Sequence, residues 1–240
     1  MSVASGLGGA FWGRALVAVE WRKLCFVTYA IEPSALATHV PPGVTLETRD
    51  GRAQVSLVLW QAKYPEVFGV SLPGDTTATE AALRYFVREG PRRGAVTLFE
   101  DSSSPFATLA ARALFREPTR HSTLHSKVEQ GSELLCRYDI AREGDHAVSV
   151  RAREPARPTD HQAAAYPIVQ RPYGYASSNR GGLLRYDLDH PVWDTYEVLD
   201  CEVRVDFAAL YGSPWGFLSG VRPESVVLAE GSQVRASLPE

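Results

Sequence analysis

Side chains able to do covalent chemistry are few in this chain, and their scarcity is the first constraint on function. Only Lys23, Lys63 and Lys127 are lysines among the 25 basic residues of the 240-residue sequence, so a reaction that needs a neutral amine nucleophile has three candidates. The cysteines Cys25, Cys136 and Cys201 are odd in number, stand far apart and form no C-x-x-C. That spacing argues against a disulfide framework and a Cys-based zinc site, and it fits a reducing cytoplasm. His121 and His125 are four apart, but in a strand-like context Thr123 lies between them on one face and no spacing supplies a third ligand, so no metal site is expected. Ser177-Ser178 has no evident base and no G-x-S-x-G elbow, and the GLGG near the start follows no strand. No motif calls for a cofactor. Two charges are harder to set aside: Arg22 opens an apolar strand, and Glu80 opens another just after a Gly/Thr-rich loop. Each could face a cavity enclosed by a sheet, or sit at a rim as half of an ion pair.

The elements that must position these residues are mostly strands. RKLCFVTYAI (22–31) reads as a buried strand, and PSALATHV after it as a short helix ended by Pro41-Pro42-Gly43. Asp50-Gly51 between two alternating runs is a hairpin signal. The segment 66–79 reads as a loop and TEAALRYFV (79–87) as a strand. Ser104-Pro105 opens the clearest helix, with Phe106, Leu109, Ala110, Ala113 and Leu114 on the face expected to pack on the sheet. Residues 122–154 read as a three-stranded meander turning at Gln130-Gly131 and Gly144-Asp145, and REPARPTDH as a surface linker. A short helix is expected within 160–170, a turn at Arg180-Gly181-Gly182, and strands over LLRYDLDH and Tyr196–Phe207.

Composition bounds the class. With 45% apolar residues and a formal charge of −3, the chain can bury a full core, and no block of one sign marks it for nucleic acid or an anionic membrane. No run reaches the roughly 18 apolar residues of a membrane span. Residues 1–13 read as a flexible arm without signal-peptide character, and 14–240 as a single domain. The fold class is α+β, mostly antiparallel β, with two or three short helices.

Several segments taken together carry a resemblance. WRKLCFVTYAIEPSALATHVPPGVTLETRDGRAQVSLVLW, TEAALRYFV, SSSPFATLAARALFREP and LLRYDLDHPVW, in that order, resemble the YqjF-like domain of unknown function, a branch of the acetoacetate decarboxylase-like superfamily. The resemblance runs from about residue 20 to residue 230. It implies a curved antiparallel sheet, a β-cone or barrel, around a central pocket. It also implies a Schiff-base lysine after the helix, an arginine at the start of the early strand, and nearby acids that orient a keto acid. The arginine falls on Arg22 and one acid on Glu80, whereas the second acidic position falls on Val58. Where the decarboxylase pattern has aromatic-Pro-Lys-Lys, this chain has Glu117-Pro118-Thr119-Arg120. A threonine has no amine, and a guanidinium stays protonated at working pH, so neither can form an imine. Lys127 is too far along the strand, and Lys23 is expected to face away from Arg22.

The reading is a small-molecule pocket without the Schiff-base lysine. Arg22 would pair an anionic or carbonyl oxygen and Glu80 would move a proton, in a non-covalent lyase, hydratase or cyclase acting on a keto or carboxylic acid. Tyr29, Trp60, Tyr85, Thr119 and Arg120 are the candidate substrate contacts. The alternatives are a ligand-binding module without turnover, and an interaction protein whose cone is filled by Trp60, Tyr85, Phe99 and Tyr29. Assembly into a homo-oligomer stays open.

Overall fold

A computed structural model describes residues 15–71, 77–178 and 181–240. The expected arm at 1–13, part of the 66–79 loop and Arg180 of the expected turn lie outside the described residues.

The first half of the chain forms β1 (Ala15–Ile31), the short β2 (Thr45–Leu46) and β3 (Thr48–Arg49), β4 (Arg52–Val67), β5 (Val70–Ser71), β6 (Thr77–Glu89) and β7 (Arg92–Ser102). Then follow α1 (Pro105–Ala110), a π-wound turn over Ala111–Phe115, β8 (Thr119–His121), β9 (Thr123–Gln130), β10 (Leu134–Ala141) and β11 (Asp145–Arg157). The remainder is α2 (Tyr166–Val169), β12 (Tyr173–Ser177), β13 (Leu183–Asp189), β14 (Thr195–Arg204), α3 (Phe207–Tyr211) and β15 (Ser225–Ser237).

The strands run β1-β4-β6-β7-β12-β13-β15, and β15 pairs back onto β1, so this part of the sheet closes on itself. From β15 the sheet continues through β14, β11, β10 and β9 as a second layer. Pairing is antiparallel except for β7 with β12 and β7 with β8. The middle of β4 is therefore buried on both faces, which is why LVLW (57–60) is an unbroken apolar run. Val58 and Trp60 point into the ring, where Leu24, Phe26 and Trp193 pack with them. Leu57 and Leu59 point outward, against Cys136, Tyr138 and Val148 of the second layer and Phe207 of α3.

Local chemistry accounts for several boundaries. Asp50 and Gly51 both take positive φ, 51° and 76°, in the hairpin between β3 and β4, as the expected tight turn requires. Ser104 caps α1 by accepting a hydrogen bond from the Ala107 N–H, with Pro105 at the first helical position. The meander over β9, β10 and β11 is as expected.

Other expectations are corrected. PSALATHV yields only a 3-10 turn over Pro33–Leu36. The face of α1 that was expected to pack does so only in part: Phe106 and Leu109 are exposed and Leu114 is half-buried against Phe115, whereas Thr108 and Phe115 are buried. The start of REPARPTDH belongs to β11, and Pro167 sits in the first turn of α2 rather than ending it. β15 is absent from the sequence reading because Glu230-Gly231-Ser232 interrupts its apolar pattern. No helix among the described residues is long and apolar enough to cross a membrane.

Ring closure hangs on that interruption. Beside it β1 bulges at Lys23, whose φ is 54°: against β4 the register passes from Arg22↔Gln61 to Cys25↔Leu59, while the pairing with β15 runs on evenly from Arg22↔Gly231 to Leu24↔Ala229. Gly231 itself has φ +85°, and a Cβ there would lie 2.0 Å from the Trp21 carbonyl oxygen. Gly231→Ala is expected to destabilise the fold by about 3 kcal/mol or more, read as a fall in the urea midpoint. Gly51→Ala, where a Cβ meets nothing within 4 Å, should cost only about 1 kcal/mol from its φ alone.

Candidate functional site

Inside the ring, toward α1, lies a cavity of about 150 Å³, a size that holds a benzene-sized molecule of about six heavy atoms. Its walls are largely apolar and aromatic, with Val19, Trp21, Trp60, Phe115 and Val234 among them. One wall carries the polar groups Glu80, Arg84, Glu100, Glu117 and Tyr186.

Strand alternation builds this wall. On β6, Glu80, Ala82 and Arg84 face inward while Ala81, Leu83 and Tyr85 face the outer core. On β7 a register shift opposite Leu83/Arg84 resets the alternation, so that Glu100 lines the cavity and Asp101 turns to the other side, onto Ser122 and Arg120. β8 pairs with β7 in parallel and sets Thr119 beside Glu100. Glu117 enters from the turn after the π-wound segment, where Arg116 takes a left-handed φ of 59°.

Arg84 is the electrostatic centre. Its Nη2 donates to Glu100 Oε2 at 3.2 Å, and its guanidinium carbon lies 4.8 Å from the Trp60 ring centroid and 5.8 Å from that of Trp21. Its Nε is buried and has no partner. Glu100 Oε1 also accepts from Thr119 Oγ1 at 3.3 Å. Glu80 Oε1 accepts from Ser102 Oγ at 3.1 Å, and Glu117 accepts from the Tyr186 hydroxyl. The Trp60 indole N–H is near enough to Glu80 to favour its anion, yet makes no hydrogen bond of normal geometry.

Three carboxyl groups around one guanidinium cannot all ionise cheaply in a buried site. Burial first, and then the Glu100 charge, push the Glu80 carboxyl up to about 8. The same two causes, in the same order, raise Glu117. Burial works against the charge on Arg84, but Glu100, Tyr186 and Glu117 outweigh it and hold the guanidinium above its ordinary value. At neutral pH the wall is thus an Arg84–Glu100 ion pair flanked by Glu80, which keeps its proton and can donate a hydrogen bond, and by Glu117, raised to about 7 and so shared between its two forms.

Of the residues singled out in the sequence, Glu80 and Trp60 line the cavity together, and Thr119 contacts its Glu100. Arg22 does not join them. It lies on the opposite face of β1 from Trp21, bound to Glu20 at 3.3 Å and to the Gly231 carbonyl at 3.3 Å. The bulge also defeats the expectation that Lys23 faces away from Arg22, since both reach the carboxylate of Glu230. Tyr29 packs edge-on against Phe207 in the outer core, and the Tyr85 hydroxyl donates to the His39 carbonyl. Arg120 pairs with Asp101 and covers Phe99. The expectation of a cone filled by these aromatics meets an open cavity instead, because Tyr29, Tyr85 and Phe99 all belong to the outer layer.

Arg84, Glu100, Glu117 and Tyr186 were missed. Period-two spacing from Glu80 marks Arg84 as its face-mate in TEAALRYFV, whereas Glu100 depends on a bulge and Glu117 on a turn. No lysine is among the described residues that line the cavity: Lys23 Nζ binds Tyr196 and Glu230, each at 2.5 Å, and Lys127 pairs with Glu129. His121 and His125 are exposed, and no group of three His, Cys, Asp or Glu residues that could hold a metal ion occurs among the described residues.

The family model DUF2071, described as an uncharacterized conserved protein, matches residues 18–233. The chain belongs to this YqjF-like family. Among curated proteins none matches. Among solved structures, an acetoacetate decarboxylase from Legionella pneumophila superposes with a TM-score of 0.62 at 13% identity, covering 100% of this chain and 92% of that one. An acetoacetate decarboxylase-like enzyme from Sphingomonas wittichii gives 0.62 at 14% identity, covering 94% and 93%. The enduracididine biosynthesis enzyme MppR, complexed with pyruvate, gives 0.62 at 14% identity, covering 96% and 91%. The fold is therefore acetoacetate decarboxylase-like, with the ring standing where the cone was expected.

A carboxyl whose folded pKa lies above its ordinary 4.5 binds its proton more tightly in the folded chain. Its contribution to stability is full below that ordinary value and is lost as pH rises through about 8. Thermal stability is expected to decline between pH 5 and pH 8, and Glu80→Gln should flatten that decline, as measured by Tm against pH.

Proposed function

We propose that the cavity binds a small keto or carboxylic acid and acts on it without a covalent intermediate. The observation that carries this reading is the pairing of a buried guanidinium with a protonated acid, Arg84 with Glu80, on one wall of a small and otherwise apolar cavity. Arg84 would hold the carboxylate or keto oxygen through its unpartnered Nε and its outer nitrogens, a geometry suited to a planar anion. Glu80, neutral at pH 7, would give a proton to the carbonyl oxygen or to a developing carbanion, then recover it from the adjacent carbon or from water. Glu100 would balance Arg84 when the site is empty, and the two tryptophans would keep water out. This chemistry suits a lyase, hydratase or cyclase. That MppR is described in complex with pyruvate supports ligands of this class.

Imine chemistry is not part of the proposal, because the post-helix position holds Thr119, with its hydroxyl on Glu100. The same observation favours one second reading: a module that keeps the pocket for binding and has given up turnover.

A thermal-shift screen of keto and carboxylic acids, followed by turnover assays on each binder, separates the two readings. Arg84→Gln is expected to weaken binding by tenfold or more, whereas Glu80→Gln should retain binding and lose turnover if the protein is an enzyme. If no such acid binds, or if Arg84→Gln binds as well as the parent, the reading is wrong. Borohydride reduction in the presence of pyruvate or acetoacetate is expected to leave the protein mass unchanged, and a reduced adduct on any lysine would restore the covalent mechanism.

A further inference from the structure

The ring has a second end. Gln54 of β4, Phe86 and Arg88 of β6, Arg93 of β7 and Val226 of β15 lie at the strand ends opposite those that meet α1, and with α2 they frame a groove of about 700 Å³. Its charges are unbalanced: Arg49, Arg88, Arg93 and Arg171 line it against Glu47 and Glu224.

Three of those arginines converge on one carboxylate. Arg93 binds Glu47 with two hydrogen bonds, at 2.8 and 3.0 Å. Arg171 Nη1 donates to the same group at 2.8 Å, and Arg88 stands 3.5 Å away. A single carboxylate cannot neutralise three guanidinium groups. Burial works upward on Glu47, but its arginine partners outweigh it and bring the carboxyl down to about 2. Arg171 is brought down to about 10, by burial first, with the like charges of Arg93 and Arg88 adding to the effect.

Arg171 is built into the fold rather than laid on its surface. Its side chain is 9% exposed, its guanidinium lies 4.1 Å from the Phe86 ring centroid, and its Nε has no partner. Nearby, the buried Ser225 Oγ is also unpartnered. Holding a guanidinium in a largely desolvated place is costly unless an anion meets it. Glu47 meets only part of that need.

We propose that this groove is a second ligand site, for a small organic dianion such as a phosphate monoester or a dicarboxylate. Arg88, Arg93 and Arg171 hold its charged head, and its body rests on Leu46, Ile168 and Val226. The ligand completes a charge balance that Glu47 begins. The site lies at the other end of the ring from Glu80 and Arg84, and does not depend on what they do.

The test is isothermal titration of the full chain at low ionic strength with phenyl phosphate, phthalate and the monoanion benzoate, with the Tm of every variant recorded. Phenyl phosphate or phthalate is expected to bind at least tenfold more tightly than benzoate, and whichever of the two binds identifies the source of the dianion. Arg93→Gln should weaken that binding tenfold or more and Arg88→Gln severalfold, while Arg84→Gln in the first cavity should leave it unchanged. Glu47→Gln should tighten binding severalfold by freeing the arginines, an opposite sign that general loss of structure cannot mimic. No preference for a dianion, undiminished binding in Arg93→Gln, no gain in Glu47→Gln, or loss only in Arg84→Gln would each overturn the proposal.

Discussion

Everything in this molecule depends on β1 and β15 zipping together. Without that pairing the strands from β1 to β13 would be an open curved sheet, with two edges and a lumen open to water. With it, the charged wall around Arg84 is withdrawn from solvent, and the outer layer has a continuous surface on which to pack. Beside the join, β1 bulges at Lys23 against β4. There Lys23 and Tyr196 are tied to Glu230, so the irregular place is also where the ring is fastened to β14.

Once the lumen is enclosed, electrostatics decides what it can do. One guanidinium satisfies one carboxylate, and burial raises the other two acids, so the cavity holds both a fixed positive charge and a proton donor, Glu80, at neutral pH. At the far end the proportion is inverted, with several arginines around one glutamate. The same closed sheet thus carries two polar sites of opposite character, separated by the apolar packing of Phe26, Val58 and Trp193.

What the sequence revealed follows the reach of its signals. Local chemistry was legible: the Asp50-Gly51 hairpin, the Ser104 cap and the turns of the meander each rest on a few adjacent residues. Glu80 and Trp60, which line the cavity, stand out in the sequence as a charge at a strand opening and a large aromatic in an apolar run. Arg22 was misplaced and Glu100 overlooked for one reason. Bulges on β1 and β7 reset which residues face inward, and a bulge is set by the partner strand rather than by its own sequence. Ring closure was hidden too, because it joins residues more than two hundred positions apart, and period-two reasoning has no access to such pairs.

The hydrogen bond between Thr119 and Glu100 bears on what a substitution at position 119 would do. Substituting a lysine at this position would set an ammonium beside a carboxylate that already serves Arg84, and such a partner favours the charged form. The new side chain would be an ion-pair cation rather than a free amine. A free amine at position 119 would therefore need the surrounding charges rebuilt as well, and a single substitution would not supply it.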